Sequence, residues 1–203
     1  MIQKKIYAII LAAGYSSRFS IFKPLAKYKS KYFIINIIEN LCLYCDEIVI
    51  VTGYKSEFLK EKTEKALIDP EIKSKLRFVY NEHFPAGMFS SVQTAAKYLN
   101  RKIDNDDWIL LHLVDQPHIP KQVYKRLILS TETSKNEIII PSYEMHSGHP
   151  ILFRKEVVKK IISSTTAKTL KDIIKKFSIE YISVEQKQIL QDVDLDEDVA
   201  RFL

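Results

Sequence analysis

Continuous apolar runs alternate with amphipathic segments along most of this 203-residue chain, and that alternation predicts strands and helices in turn. The first run, Ile6 to Leu11, is apolar at every position, as a strand buried on both faces requires. After a short polar turn from Lys27 to Lys31, Phe33, Ile34, Ile37, Ile38 and Leu41 recur with the period of a helix that ends near Cys45. Glu47 to Thr52 is a β-branched strand closed by Gly53, and Ser56 is placed to cap a lysine-rich helix that stops before Pro70. Leu76 to Asn81 predicts a third strand. A loop with Pro85 and Gly87 follows, then a helix from Ser91 to Leu99 with Ser90 or Ser91 as its N-cap. The fourth strand, Trp108 to Val114, stops at Asp115-Gln116-Pro117. Beyond His118 and Pro120 come a helix and a fifth strand, Glu137 to Pro141. Tyr143 to Ser147 reads as a polar crossover into Gly148-His149-Pro150 and the short strand Ile151 to Phe153. Helices near 155–163 and 167–177, a strand from Ile179 to Val184, an acidic stretch from Gln191 to Asp198 and an apolar helical tail, Val199 to Leu203, complete the pattern.

Strand and helix alternate throughout the first 140 residues. This predicts an α/β fold, a doubly wound and mostly parallel sheet with right-handed crossovers and helices on both faces, hence three layers, α/β/α. The length suits a single domain spanning residues 1–203. In such a sheet the parallel strands end on one rim, which would gather Gly14, Gly53, Gly87 and Asp115.

Composition narrows the function classes. Lysine and arginine (31) exceed aspartate and glutamate (25), giving +6, but the lysines are spread over nearly every segment, as on solvated helix faces. Nucleic acid is therefore not the expected partner. The chain shows no secretory pattern and no apolar run approaching a membrane span, so a cytoplasmic protein without a membrane partner is expected. Cys42 and Cys45 form a CxxC, yet there is no second pair to complete a zinc site. They also fall at the end of a helix, where the dipole does not favour a thiolate, so they read as structural thiols. Glycine is the most informative count: four, where average usage gives roughly 14. A chain this depleted keeps glycine where another residue would clash or strain the backbone.

The candidate chemistry begins in IILAAGYSSRFSIFK, Ile9 to Lys23. A buried strand delivers the chain to the rim, and Ala12, Ala13 and Gly14 let backbone N–H groups approach an anion. Arg18 and Lys23 add charge, one as a planar fork and the other as a mobile point charge. The implied ligand is a polyanion, most simply a nucleoside triphosphate; the competing reading is an ordinary connection in which Gly14 only makes a turn. Neither GxGxxG nor GxxxxGK[ST] is present. Asp115, at the end of a central strand, reads either as a turn or cap residue or as a Mg²⁺ ligand bridging phosphates, a role that needs only one or two carboxylates. The second carboxylate would be Asp192 or Asp194, which strand-like alternation turns to one side with Val193 opposite.

Together LAAGxSSR with Lys23, GMxSSV at 87–92, LVDQP at 113–117, GHPILF at 148–153 and DVD at 192–194 resemble the MobA-like nucleotidyltransferases, in particular their molybdenum cofactor cytidylyltransferase branch. The resemblance implies a Rossmann-like fold of the nucleotide-diphospho-sugar transferase type. The implied activity is transfer of a nucleotidyl group, CMP rather than GMP, from an NTP to a phosphorylated pterin with release of pyrophosphate. It places Leu11, Ala12, Ala13, Gly14 and Ser16 against the nucleotide, Arg18 and Lys23 on its phosphates, and Gly87 and Ser91 near base and ribose. Asp115 with Asp192 or Asp194 would bind Mg²⁺, and His149 would border the pterin. Arg18, Lys23 and Asp115 become the catalytic candidates, residues up to about 117 the nucleotide half and 118–203 the acceptor half, with a molybdoenzyme as a further partner. The chain departs from the family pattern at Leu195-Asp196, where Thr-Pro is usual, and in the apolar FSIF between Arg18 and Lys23, where glycine is common. The alternative acceptors are sugar or polyol phosphates, and the alternative role is non-catalytic cofactor delivery.

Overall fold

The structure, a computed structural model, describes residues 4–17 and 21–194. Arg18, the acidic residues Asp196, Glu197 and Asp198, and the expected helical tail lie outside the described residues.

β1 (Ile6–Ala12) is the centre of the molecule, with every residue buried, as its unbroken apolar run demands. It pairs in parallel with β4 (Glu47–Thr52) on one side and β6 (Trp108–Leu113) on the other. β5 (Leu76–Tyr80) extends the sheet beyond β4. Beyond β6 lie β9 (Ile151–Arg154), β7 (Ile138–Tyr143) and β10 (Ile179–Ser183), giving the order β10-β7-β9-β6-β1-β4-β5. β9 runs antiparallel to both its neighbours; the other strands of this path run one way. The expected doubly wound, mostly parallel sheet is the observed one.

Alternation along β1 builds a core on each face. Ala8, Ile10 and Ala12 pack on one side with α1 (Phe33–Leu41), α2 (Ser56–Ala66) and α5 (Lys121–Ser130). Tyr7, Ile9, Leu11 and Ala13 pack on the other with α4 (Met88–Leu99), α6 (Lys155–Ser163) and part of α7 (Leu170–Ile174). At roughly 1.5–3 kcal/mol for each fully buried large apolar side chain, these two cores hold the rim rigidly. No helix among the described residues is long and apolar enough to cross a membrane.

Several local expectations are corrected. α1 stops at Leu41, so Cys42 caps it and Cys45 lies beyond; burial raises both thiols' pKa and keeps them protonated. α2 begins at Ser56, but its N-cap is Lys55 in the left-handed region, and the Ser56 hydroxyl lies 2.7 Å from that of Thr52. A short helix, α3 (Pro70–Lys75), fills a segment given no element from the sequence, and a two-strand ribbon, β2 (Lys27–Tyr28) with β3 (Lys31–Tyr32), forms where a turn is expected. The N-cap of α4 is Gly87, not Ser90 or Ser91: its φ of +102° sets the chain's direction three residues earlier than a serine cap would. Residues 143–147 form a hairpin with β8 (His146–Ser147) turning at Glu144-Met145, not a crossover.

Candidate active site

β4 and β5 follow β1 to one side, and β6 is on the other, so the crevice at the carboxyl ends of β1 and β6 is the sheet's switch point. A cavity of about 520 Å³ opens there. Its lining brings together Leu11, Ala12, Ala13, Gly14, Ser16, Lys23, Gly87, Ser91, Asp115, Asp192 and Asp194. These are all the nucleotide and metal candidates read from the sequence except Arg18. His149 is placed elsewhere, in a neighbouring cavity of about 720 Å³ that shares Leu11, Met88 and Leu113 with the first.

Local structure fixes each wall. A Cβ on Gly14 would meet no atom of the described residues within 4 Å beyond its chain neighbours, so the loop after β1 is open at that point. Gly53 is different: a Cβ there would lie 2.7 Å from the Ala13 carbonyl oxygen and 2.6 Å from the Phe84 ring, so glycine is what lets the first loop close on the third. Tyr15 seals that junction, its ring centroid 5.1 Å from Phe84 and 5.4 Å from Tyr54. The Ser16 hydroxyl accepts the Lys23 backbone N–H at 3.1 Å and ties the ends of the loop together.

Lys23 is only 8% exposed, unusual for a lysine, and its charge is answered by carboxylates. Its Nζ donates to Asp194 Oδ1 at 2.9 Å and lies 3.8 Å from Asp115 Oδ2. The carboxyl-terminal segment is anchored where the Val193 N–H donates to the Asp115 carbonyl at 2.9 Å. Val193 is buried against Ala26, Tyr28 and Phe33, so Asp192 and Asp194 turn together into the cavity, as alternation predicted.

Two residues that organise the site are assigned no role from the sequence, although Gln116 lies inside LVDQP. Gln116 Nε2 donates to Asp192 Oδ1 at 2.9 Å. The buried Asn81 donates from Nδ2 to the hydroxyls of Ser90 (2.8 Å) and Ser91 (3.0 Å). Its Oδ1 accepts from the His83 N–H and the Thr94 hydroxyl, which locks the Gly87 loop onto α4.

Charge in the cavity is unbalanced. Burial first, then the neighbouring Asp192, push the Asp115 carboxyl up to about 6, with Lys23 opposing. Its Oδ1 is buried with no hydrogen-bond partner. An orphaned carboxylate oxygen beside two further carboxylates fits a hard divalent cation that completes its shell with phosphate oxygens and water. Among the described residues no three acidic, imidazole or thiol groups hold such an ion by themselves. In the second cavity burial holds the His149 imidazole below its usual pKa, and its Nδ1 is likewise unpartnered.

A small-residue loop, a lysine and strand-end carboxylates at the switch point of a Rossmann-like sheet define a nucleotide-handling α/β protein. The chain belongs to the MobA-like NTP transferase family, whose domain model matches residues 8–184, and it is a nucleotidyltransferase of that type. It is 23% identical over 193 residues to the molybdenum cofactor cytidylyltransferase of Escherichia coli K12, covering 95% of this chain and 93% of that protein. It is 22% identical over 188 residues to a probable molybdenum cofactor guanylyltransferase of Bacillus anthracis, covering 91% and 86%. A solved 4-diphosphocytidyl-2C-methyl-D-erythritol synthase shares the fold, with a TM-score of 0.75 at 16% identity over 99% of this chain and 97% of that one.

Proposed function

We propose that this nucleotidyltransferase moves CMP from CTP to a phosphorylated pterin of the molybdenum cofactor type and releases pyrophosphate. One observation carries the reading: a cavity that holds a lysine and three carboxylates adjoins a larger, more apolar one across Leu11, Met88 and Leu113. A triphosphate in the first and a phosphorylated ring in the second would present the acceptor phosphate to the α-phosphorus. A small polyol phosphate would leave the 720 Å³ cavity largely unfilled, which favours the ring. On this reading residues up to about 117 form the nucleotide half, although Asp192 and Asp194 return to it from the carboxyl-terminal end. The preference for CTP over GTP rests on the Escherichia coli relative.

The reaction joins two anions, so positioning and charge neutralisation do most of the work. Backbone N–H groups of Ala12 to Gly14 and the Lys23 ammonium would hold the triphosphate, and Gly87 and Ser91 would face base and ribose. Asp115, with Asp194 or Asp192, would hold Mg²⁺, which when bound offsets charge on the α-phosphate and on the departing pyrophosphate. Lys23 would follow the leaving group as its charge grows, and His149 would border the acceptor ring. Product analysis with labelled CTP and GTP, Mg²⁺ and an acceptor panel of molybdopterin, a sugar phosphate and an erythritol phosphate tests this. CMP transfer to molybdopterin is expected; transfer confined to the erythritol or sugar phosphate replaces the acceptor, and absence of pyrophosphate release with all three identifies a delivery protein.

A further inference from the structure

The second cavity has a polarity of its own. Its walls are apolar, with Leu111, Ile140, Ile151 and Ile174 among them, and no acidic side chain among the described residues lines it. Along one edge stand Lys168, Lys171 and Lys175, all exposed, and none has a carboxylate within ion-pair distance among the described residues. The nearest acid in sequence, Asp172, turns its carboxylate back to accept the N–H groups of Lys168 (3.1 Å) and Thr169 (3.0 Å) in a capping box. That box fixes the backbone carrying Lys168 and Lys171. Lys171, in the first turn of α7, and Lys175, its C-cap, are four residues apart, a spacing that brings two like charges to one side. His149 lines the same cavity, and its Nδ1 is buried without a hydrogen-bond partner among the described residues.

From this juxtaposition we infer that the second cavity binds an amphiphilic organic anion: a flat ring body seated on the apolar wall beside His149, and an anionic group held by Lys168, Lys171 and Lys175. This rests on the reading of the cavity as the acceptor site and narrows the acceptor class. The acceptor carries negative charge at a second place, apart from the phosphate that reacts at Lys23. A single-phosphate polyol has no group for this edge.

The probe is 8-anilinonaphthalene-1-sulfonate, a ring body with one anionic group, and its uncharged counterpart is N-phenyl-1-naphthylamine. The sulfonate is expected to bind the full chain saturably at one site, and Tyr181→Trp, on the cavity edge, to raise energy transfer to the bound dye above the level given by Trp108 alone. The triple variant Lys168→Ser, Lys171→Ser, Lys175→Ser should weaken the sulfonate at least tenfold and the uncharged dye less than twofold. The triple arginine variant should restore it. Loss of both dyes together, loss of neither, or no saturable sulfonate binding to the wild-type chain overturns the inference. Calorimetric titration of CTP with Mg²⁺ into the same serine variant separates the two readings: a wild-type affinity leaves the nucleotide site standing whatever the dyes report.

Discussion

Lys23 and Asp194, 171 positions apart in the chain, meet at 2.9 Å inside the cavity at the switch point. The ion pair is partly screened from water, and it stitches the first loop of the fold to its last described residues. It also sets up a competition. A triphosphate that uses the Lys23 ammonium must displace the carboxylate now occupying it, and the freed carboxylate is then available to a cation.

That competition predicts opposite effects from its two members. Lys23→Ala should weaken CTP binding by about tenfold to a hundredfold, the usual range for one charge-assisted hydrogen bond. Asp194→Asn, measured in EDTA, should tighten CTP binding severalfold because Lys23 no longer has to be won from Asp194. Calorimetric titration of both variants checks this, and equal affinities in all three proteins would remove Lys23 from the phosphate site.

Asn81 predicts a specificity effect without direct ligand contact. Asn81→Ala removes the donor to the buried Ser91 hydroxyl and the acceptor of the His83 N–H, so unfolding stability should fall by about 1–3 kcal/mol. KM for the nucleotide should rise more than kcat falls, since on the proposed reading the loop faces base and ribose and not the reacting phosphates. Denaturant melts and steady-state kinetics measure the two separately; a variant that loses kcat alone would contradict the positioning role.

The fold should be acid-sensitive through His112. Its Nδ1 faces the Leu113 carbonyl at 2.7 Å and must donate, so Nε2 accepts the Tyr124 hydroxyl at 2.7 Å and the ring is neutral. Burial lowers its pKa to about 3, against 6.5 for the free side chain. The folded pKa lies below the unfolded one, so the unfolded chain takes up the proton first and stability falls as pH drops from 6.5 towards 3. At pH 5 the loss from this group is about 2 kcal/mol, an order-of-magnitude figure from 1.36 kcal/mol per pH unit. The double variant His112→Leu, Tyr124→Phe should flatten the slope of unfolding free energy between pH 6.5 and 4.5 by close to one proton. An unchanged slope would place the acid sensitivity elsewhere.

How much of this was legible in the chain depended on whether a feature was periodic or compositional. The buried strands β1, β4 and β6 announce themselves because a strand covered on both faces has no polar positions to break its run. The first cavity was legible because its walls are small residues and a lysine close in sequence, joined by an acid at the end of another buried strand, and glycine scarcity pointed to Gly53 and Gly87. Strand direction was not: Ile151 to Phe153 is apolar whichever way it runs, so the antiparallel β9 could not be read. The hairpin at Glu144-Met145 was hidden because both residues take positive φ, 48° and 67°, where asparagine and glycine are the usual signal. Asn81 and Gln116 were missed for a related reason, since a polar hub is defined by its distant partners and not by its neighbours.

The account stands on Asp115 and Lys23 gripping a metal-bound triphosphate in one cavity. Its most direct test is calorimetric titration of CTP into the wild-type chain and Asp115→Asn, each with and without Mg²⁺. Mg²⁺ should tighten CTP binding to the wild-type protein at least tenfold and do nothing for Asp115→Asn, which should melt no lower than wild type in EDTA because it loses a crowded buried charge. Equal Mg²⁺ dependence in the two proteins would contradict it.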